Sequence, residues 1–274
     1  MSTYAVPFYE YTGGDSAGGL HRLADKVVGI IGTGATAVQA IPHLGRHAQH
    51  LFVFQRTPSS IDVRNDRPTD QDWAATLQPG WQRRRMDNFN NLVSGVPQPE
   101  DLVRDGWTDI IRNVMLGMNR DQFANTSLEG LASAMELADF AKMNQVRARV
   151  DSVVNDPATA EALKPWYRQF CKRPCFHDDY LPTFNRPNVT LVDTNGKGIT
   201  EITEKGPVFE GREYPVDVLI YATGFEVQVT GIYNKIVGEN GLDLAPQLGL
   251  PPELLLKAGN WLGPALVAAA EQGV

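Results

Sequence analysis

The residues best suited to chemistry in this chain are a run of small ones. Gly32-Thr33-Gly34-Ala35-Thr36-Ala37 has the spacing G-x-G-x-x-A. In such a run the first glycine permits a tight turn and the second lets backbone approach a pyrophosphate. The small third residue lets a following helix pack close to the strand before it. N–H groups at the start of that helix face the phosphates, supported by the helix dipole. About 20 residues on, an acid would hold the ribose of NAD; here the sequence reads Phe54-Gln55-Arg56-Thr57, with no carboxylate. Arg56 can fork onto a 2′-phosphate and Thr57 can add a hydroxyl donor, so the pattern favours NADP over NAD. The plain alternatives are a glycine turn that binds nothing and an ordinary surface arginine.

These residues need a strand before them, a helix after them and a second strand beyond. Lys26 to Ile31 is a continuous apolar run of the kind buried on both faces of a parallel sheet. Ala35 to Leu44 then reads helical, with Ala37, Ile41 and Leu44 on one face. Leu51 to Phe54 is a second short apolar strand, and Pro58, Ser59 and Ser60 open a loop after it. From about Pro68 to Arg168 the apolar spacing turns helical, for example at Leu128, Leu131, Met135, Ala138 and Met143. Strand-like runs return at Val189 to Val192, Ile199 to Thr203 and Val216 to Tyr221, the last apolar apart from Asp217. The expected fold class is α/β, a Rossmann-like parallel-sheet NADP-binding domain with an inserted helical subdomain. The expected division is residues 1–67 and 169–242 for the two parts of the nucleotide domain, 68–168 for the insertion, and 243–274 for a C-terminal tail. Two short helical stretches and no chemistry can be read in that tail.

Composition narrows the function classes. The chain has 274 residues, with 25 Lys+Arg against 32 Asp+Glu for a net charge of −7, which excludes a general nucleic-acid binder. Apolar residues are 42% and charged residues 21%, an ordinary globular mix able to bury a core. Cys171 and Cys175 are too few for a disulfide scaffold and are not spaced like a zinc knuckle, so a reducing cytoplasmic setting is expected. The first ten residues lack the basic and apolar regions of an export signal, and no apolar run approaches the roughly 18 residues that span a bilayer. His177, Asp178 and Asp179 are consecutive on an extended segment and cannot all converge on one ion, so no metal site is expected. Trp73, Trp81, Trp107 and Trp166 read as packing residues of the helical insertion.

Four stretches in this order carry a family resemblance: GTGATAVQ from Gly32 to Gln39, FVFQRTPSS from Phe52 to Ser60, Cys171 to Thr194, and DVLIYATGF from Asp217 to Phe225. Over about Tyr11 to Asp243 the chain resembles the NADPH-binding part of flavin-dependent Baeyer–Villiger monooxygenases, which also insert helices between the halves of that domain. The resemblance implies that NADPH reduces FAD and that the flavin, after reaction with oxygen, inserts one oxygen atom into a small-molecule ketone or oxidises a heteroatom. It implies pyrophosphate-side contacts at Gly32, Thr33, Gly34, Ala35, Thr36, Ala37 and Gln39. Arg56, Thr57 and Lys172 resemble the 2′-phosphate clamp, and Arg173 resembles the active-site arginine. An arginine suits that place because negative charge develops there and its own charge is not lost near neutral pH. Ala222-Thr223-Gly224 resembles the turn after a final strand that approaches the cofactors.

The chain departs from the family in three ways, one being that the tail after Asp243 does not look like the family's usual C-terminus. It carries one glycine fingerprint where the family has another for FAD, and the F-x-G-x-x-x-H-x-x-x-W-P/D signature is not found before the first strand. The expectation is a truncated form whose isolated chain does not hold FAD tightly. The alternatives are a non-catalytic NADP-binding module and a partner of a separate FAD-binding chain in a split monooxygenase. A dehydrogenase is weaker, because no His, Tyr-Lys pair or acid stands in a motif that handles a substrate proton.

Overall fold

The computed structural model describes residues 19–94, 96, 98–110 and 128–224. The expected tail at 243–274, residues 225–242, part of the helical stretch and the segment before residue 19 lie outside them. The described residues form a mixed α/β fold. Its centre is a four-stranded parallel sheet made of β1 (Val27–Ile31), β2 (His50–Gln55), β5 (Val189–Asp193) and β9 (Val218–Tyr221), in the order β5-β2-β1-β9. The uniformly apolar VVGII run becomes β1 because a strand flanked on both sides has no face to give to water. Val28 and Ile30 are fully buried. Helix α1 (Ala35–His47) lays Ala37, Val38, Ile41 and Leu44 against the sheet.

The turn between β1 and α1 requires its first glycine. Gly32 has φ +112°, and a Cβ there would overlap the Ala222 carbonyl oxygen at the end of β9. The Ala222 N–H donates to the Ile31 carbonyl (2.9 Å), so the turn after the last strand closes over the turn after the first. Gly32→Ala is expected to lower unfolding stability by about 1–2 kcal/mol, from the disfavoured backbone region alone. A thermal midpoint equal to that of the parent would show that neither the positive φ nor the contact between the two turns carries a cost.

Two runs depart from their expected settings. Strand β9 sits at a sheet edge among the described residues, with Tyr221 40% exposed, so its apolar sequence does not mean burial on both faces. The run at Ile199 to Thr203 contributes β6 (Glu201–Ile202) to a separate antiparallel sheet with β7 (Pro207–Phe209) and β8 (Arg212–Glu213).

A third sheet has only two strands of two residues each. Strand β3 (Ile61–Asp62) pairs in parallel with β4 (Cys175–Phe176), and the ladder extends through Cys175 N–H to the Ser60 carbonyl (3.0 Å) and His177 N–H to the Asp62 carbonyl (3.0 Å). Helices α2 (Gln71–Ala75), α3 (Trp81–Val93), α4 (Leu128–Val153) and α5 (Pro157–Ala162) lie between these strands in sequence, and α6 (Tyr180–Thr183) follows them.

Helix α4 grips the small sheet. Met143, Val146 and Val150 are buried, whereas Met135, placed on the apolar face by the sequence pattern, is 43% exposed. Leu128 and Leu131, on the same expected face, are not among the side chains described. From α4, Lys142 pairs with Asp62 (2.6 Å) and Asp109 (2.9 Å), and Arg149 donates to the carbonyls of Ile61 (3.0 Å) and His177 (3.1 Å). Trp73 and Trp166 are exposed, although Trp73 packs edge-on against Trp81 (5.9 Å between ring centres). Each of the exposed pair lies under an arginine, Arg85 over Trp73 at 5.9 Å and Arg147 over Trp166 at 4.4 Å, which shields an aromatic face without burying it. No helix among the described residues is long and apolar enough to cross a membrane.

Candidate cofactor cleft

The glycine turn and the loop after β2 are tied by two hydroxyls. Thr33 Oγ1 donates to the Thr57 carbonyl (3.0 Å), and Ser59 Oγ donates to the Thr33 carbonyl (2.5 Å). Both side chains are buried, so neither bond competes freely with water. Arg56 and Thr57 are thereby held next to the start of α1. That start is open: Gly34 is its N-cap, no side chain caps it, and a Cβ on Gly34 would meet nothing within 4 Å. Ala37 is fully buried under the same turn, while Gln39 is exposed and its amide donates to the Ala35 carbonyl (3.1 Å).

The β3–β4 pairing brings in the second part of the site. It carries Lys172 and Arg173, just before β4, to the loop just before β3. Lys172 Nζ donates to Thr57 Oγ1 and to the Pro58 carbonyl (3.4 Å), and lies 4.9 Å from the ring centre of Tyr167. Tyr167 in turn donates its hydroxyl to the Pro58 carbonyl (3.0 Å), and burial pushes that phenol up to about 12, so it stays a neutral donor. Burial, and after it the positive charge of Arg56, hold the Lys172 ammonium below its usual range. Among the described residues neither Arg56 nor Lys172 has a carboxylate within ion-pair distance.

Arg173 is exposed and opens onto a cleft of about 820 Å³. Ala35, Thr36 and Gln39 from α1 line it on one side, with Arg64 from the loop after β3 and Trp107 also in the wall. Trp107 packs edge-on to Phe176 (5.5 Å) and is half-buried, so this tryptophan is both packing and cleft lining. Ala222 and Thr223 follow β9 beside Gly32, and Gly224 has φ +93°. The three residues at His177 to Asp179 diverge. His177 Nδ1 accepts from the Asp179 N–H (3.1 Å), the Asp178 carboxylate turns to the loop at 64–66, and Asp179 pairs with Arg46 (3.3 Å). Tyr167, Ser59, Arg64, Trp107 and Asp178 were not singled out as site residues from the sequence. They lie far apart along the chain and share no spacing that would mark them.

A parallel-sheet α/β fold whose glycine turn and basic loop border one cleft defines a class shared with flavin-dependent monooxygenases of known structure. The polycyclic ketone monooxygenase of Thermothelomyces thermophila aligns with TM-score 0.74 at 40% identity, over 88% of this chain and 41% of that one. A steroid monooxygenase bound to NADP aligns with TM-score 0.60 at 28% identity, over 83% and 44%. By sequence the chain is 57% identical over 242 residues to neopentalenolactone D synthase of Streptomyces avermitilis, covering 86% of this chain and 41% of the relative. It is 56% identical over 239 residues to a Baeyer–Villiger monooxygenase of Stachybotrys chlorohalonatus, covering 86% and 38%. The curated relatives it matches at 55–57% identity include Baeyer–Villiger monooxygenases, and the chain spans about two-fifths of their length. No protein-family model matches it.

Proposed function

We propose that the chain supplies the NADP(H)-binding part of an FAD-dependent Baeyer–Villiger monooxygenase. On this reading residues 1–67 and 169–242 form a Rossmann-like nucleotide domain, 68–168 a helical insertion that caps the cleft on the substrate side, and 243–274 a tail. The observation that carries the reading is the pair Arg56 and Lys172. Lys172 donates to the Thr57 hydroxyl, the Arg56 charge is near enough to lower the Lys172 ammonium, and neither cation has a carboxylate partner among the described residues. Like charges held together in a fold are costly unless an anion comes to sit between them, and a 2′-phosphate has the charge and oxygens to do so.

The residues fit the rest of NADP(H) as well. The open N-terminus of α1, from Gly34 to Ala37, offers free N–H groups to a pyrophosphate. Gly32 and Ala37 shape that turn, Thr33 braces it against the Thr57 carbonyl, and Ala35, Thr36 and Gln39 border the cleft. Bound NADPH supplies a hydride. Arg173 keeps a fixed positive charge in the cleft where negative charge develops during oxygen transfer. Ala222, Thr223 and Gly224 form the small-residue turn on the cofactor side. FAD enters the reading from relatives whose names carry it. The glycine-opened helix α1 is assigned to NADP(H), and no residue of this chain is assigned to FAD. The substrate class is a small-molecule ketone or an oxidisable heteroatom, as the name of the polycyclic ketone monooxygenase suggests.

Calorimetric titration of the purified chain with NADPH and with NADH tests the reading. NADPH is expected to bind at least tenfold more tightly, since a charge-assisted hydrogen bond contributes about 1.5–3 kcal/mol. Equal affinities, or no binding of either, would reject it. Absorbance of the same sample with and without added FAD separates a chain that binds only NADP(H) from one that also holds flavin.

A further inference from the structure

Arg64 and Asp66 stand in the wall of the cleft just after β3, and no backbone–backbone hydrogen bond among the described residues holds the amides of 64–66. Strand β3 ends at Asp62, and Asn65 takes a positive φ of 55°. Val63 N–H donates to the neighbouring Asp62 carboxylate (2.8 Å), whereas residues 64–66 are held by one side chain more than a hundred residues away in sequence. Asp178 Oδ1 accepts from the N–H groups of Arg64 (2.9 Å) and Asn65 (3.3 Å), and Oδ2 accepts from the N–H of Asp66 (2.9 Å). Three successive backbone donors on one carboxylate make a cradle that favours the ionised form. The carboxyl is accordingly held below the usual carboxylate range, although burial pushes the other way, because the three N–H groups and then Arg149 outweigh it.

The segment so held carries Arg64, which lines the cleft together with Arg173 and the first residues of α1. Among the described residues Arg64 makes no ion pair. The nearby acids are otherwise engaged: Asp178 is occupied by the three N–H groups and Asp179 by Arg46, which leaves Asp66 as the remaining carboxylate in the wall. We infer that Arg64 is a further anion-binding residue of the cleft, separate from the Arg56–Lys172 pair, and that Asp178 is the residue that positions it. The inference rests on the NADP(H) reading above and adds a contact to the cofactor's phosphates from the loop after β3. Asp178 touches no ligand in this scheme and acts through the backbone of residues 64–66.

The test uses the full chain, NADP+ as the probe, and the variants Arg64→Ala, Asp178→Ala, Asp178→Asn and the double variant Arg64→Ala/Asp178→Ala. Arg64→Ala and Asp178→Ala are each expected to weaken NADP+ binding about five- to tenfold. The double variant should be no weaker than either, because the two residues act in one chain of contacts. Hydrogen exchange gives the readout that general destabilisation would not produce. In Asp178→Ala the amides of residues 64–66 should exchange about tenfold faster or more, while those of β1 stay protected. In Asp178→Asn one carbonyl oxygen survives, so part of that protection and part of the affinity should return. If the parent chain binds NADP+ and the Arg64 and Asp178 variants bind it equally well, this inference is overturned and the NADP(H) reading stands. Additive losses would likewise overturn it, since Asp178 would then act by another route. If the parent chain does not bind NADP+, the NADP(H) reading fails and this inference fails with it.

Discussion

Replacing Arg56 by alanine is expected to weaken NADPH binding tenfold to hundredfold while NADH binding stays within about twofold. Arg56 is exposed at the end of β2 and contributes nothing to the buried core, so its loss should act on the ligand and not on the fold. The two cofactors differ only by the 2′-phosphate, and a guanidinium presents a planar fork that an alanine or a water cannot replace. A second effect follows at Lys172. The Arg56 charge is one of the two causes that hold that ammonium down, so Lys172 should titrate at higher pH in the variant, although burial, the larger cause, remains. Calorimetry with both cofactors measures the first effect, and an NMR titration of the lysine side chain measures the second. Equal losses for NADPH and NADH would make Arg56 a scaffold residue, and no loss for either would make it an ordinary surface arginine.

Lys142→Met should cost about 3–5 kcal/mol of unfolding stability. The Lys142 ammonium is 5% exposed and Asp62 10%, so removing the cation strands a carboxylate that water barely reaches. Asp62 also accepts from the Val63 N–H (2.8 Å) and feels Arg149, which tempers the loss without replacing a contact of 2.6 Å. Removing both charges in Lys142→Met/Asp62→Leu should recover most of the loss, since a buried pair of this kind contributes little net stability against well-packed apolar side chains. The pH dependence has a definite sign. Burial pushes Lys142 down, but the hydrogen bonds and charges of Asp62 and Asp109 outweigh it and raise the group above 10.5. Its contribution is therefore complete below 10.5 and is lost as pH rises through the higher folded value. Denaturant unfolding at neutral and alkaline pH reads both effects. A Lys142→Met variant as stable as the parent would mean that the interior around Asp62 is wet.

The consequence reaches the cleft, because Asp62 is half of strand β3 and β3 holds β4. Loosening α4 from Asp62 loosens the only ladder that brings Lys172 and Arg173 to Arg56 and Thr57 among the described residues. A modest secondary loss of NADP+ affinity in Lys142→Met is expected at temperatures where the variant remains folded.

How much of this was legible beforehand differs sharply between elements. Strands β1, β2, β5 and β9 could be read from apolar runs, and the turn at Gly32 to Ala37 from its glycines, because a strand in a parallel sheet and a backbone crossing at positive φ each restrict residue type locally. Arg56 and Thr57 could be named because they fall at a fixed distance from that turn. The two-residue strands β3 and β4 could not be. Two residues show no alternation, and their partners are separated by the whole helical stretch, so nothing short-range marks the pairing. No spacing marks Lys142 among the charged residues of its helix, and Asp178 is one of two adjacent acids after His177. Trp73 and Trp166, read as packing residues of the helical insertion, stand exposed with an arginine over each ring, since an aromatic ring can be shielded by a long cation as well as by burial. Local chemistry thus set which segments become strands, where the chain must turn on glycine, and which cation follows the second strand. The meeting of that cation with Lys172, the aim of Arg64 and the grip of α4 on the cleft depend on contacts between residues far apart in the chain, and such contacts leave no periodic trace in the order of the amino acids.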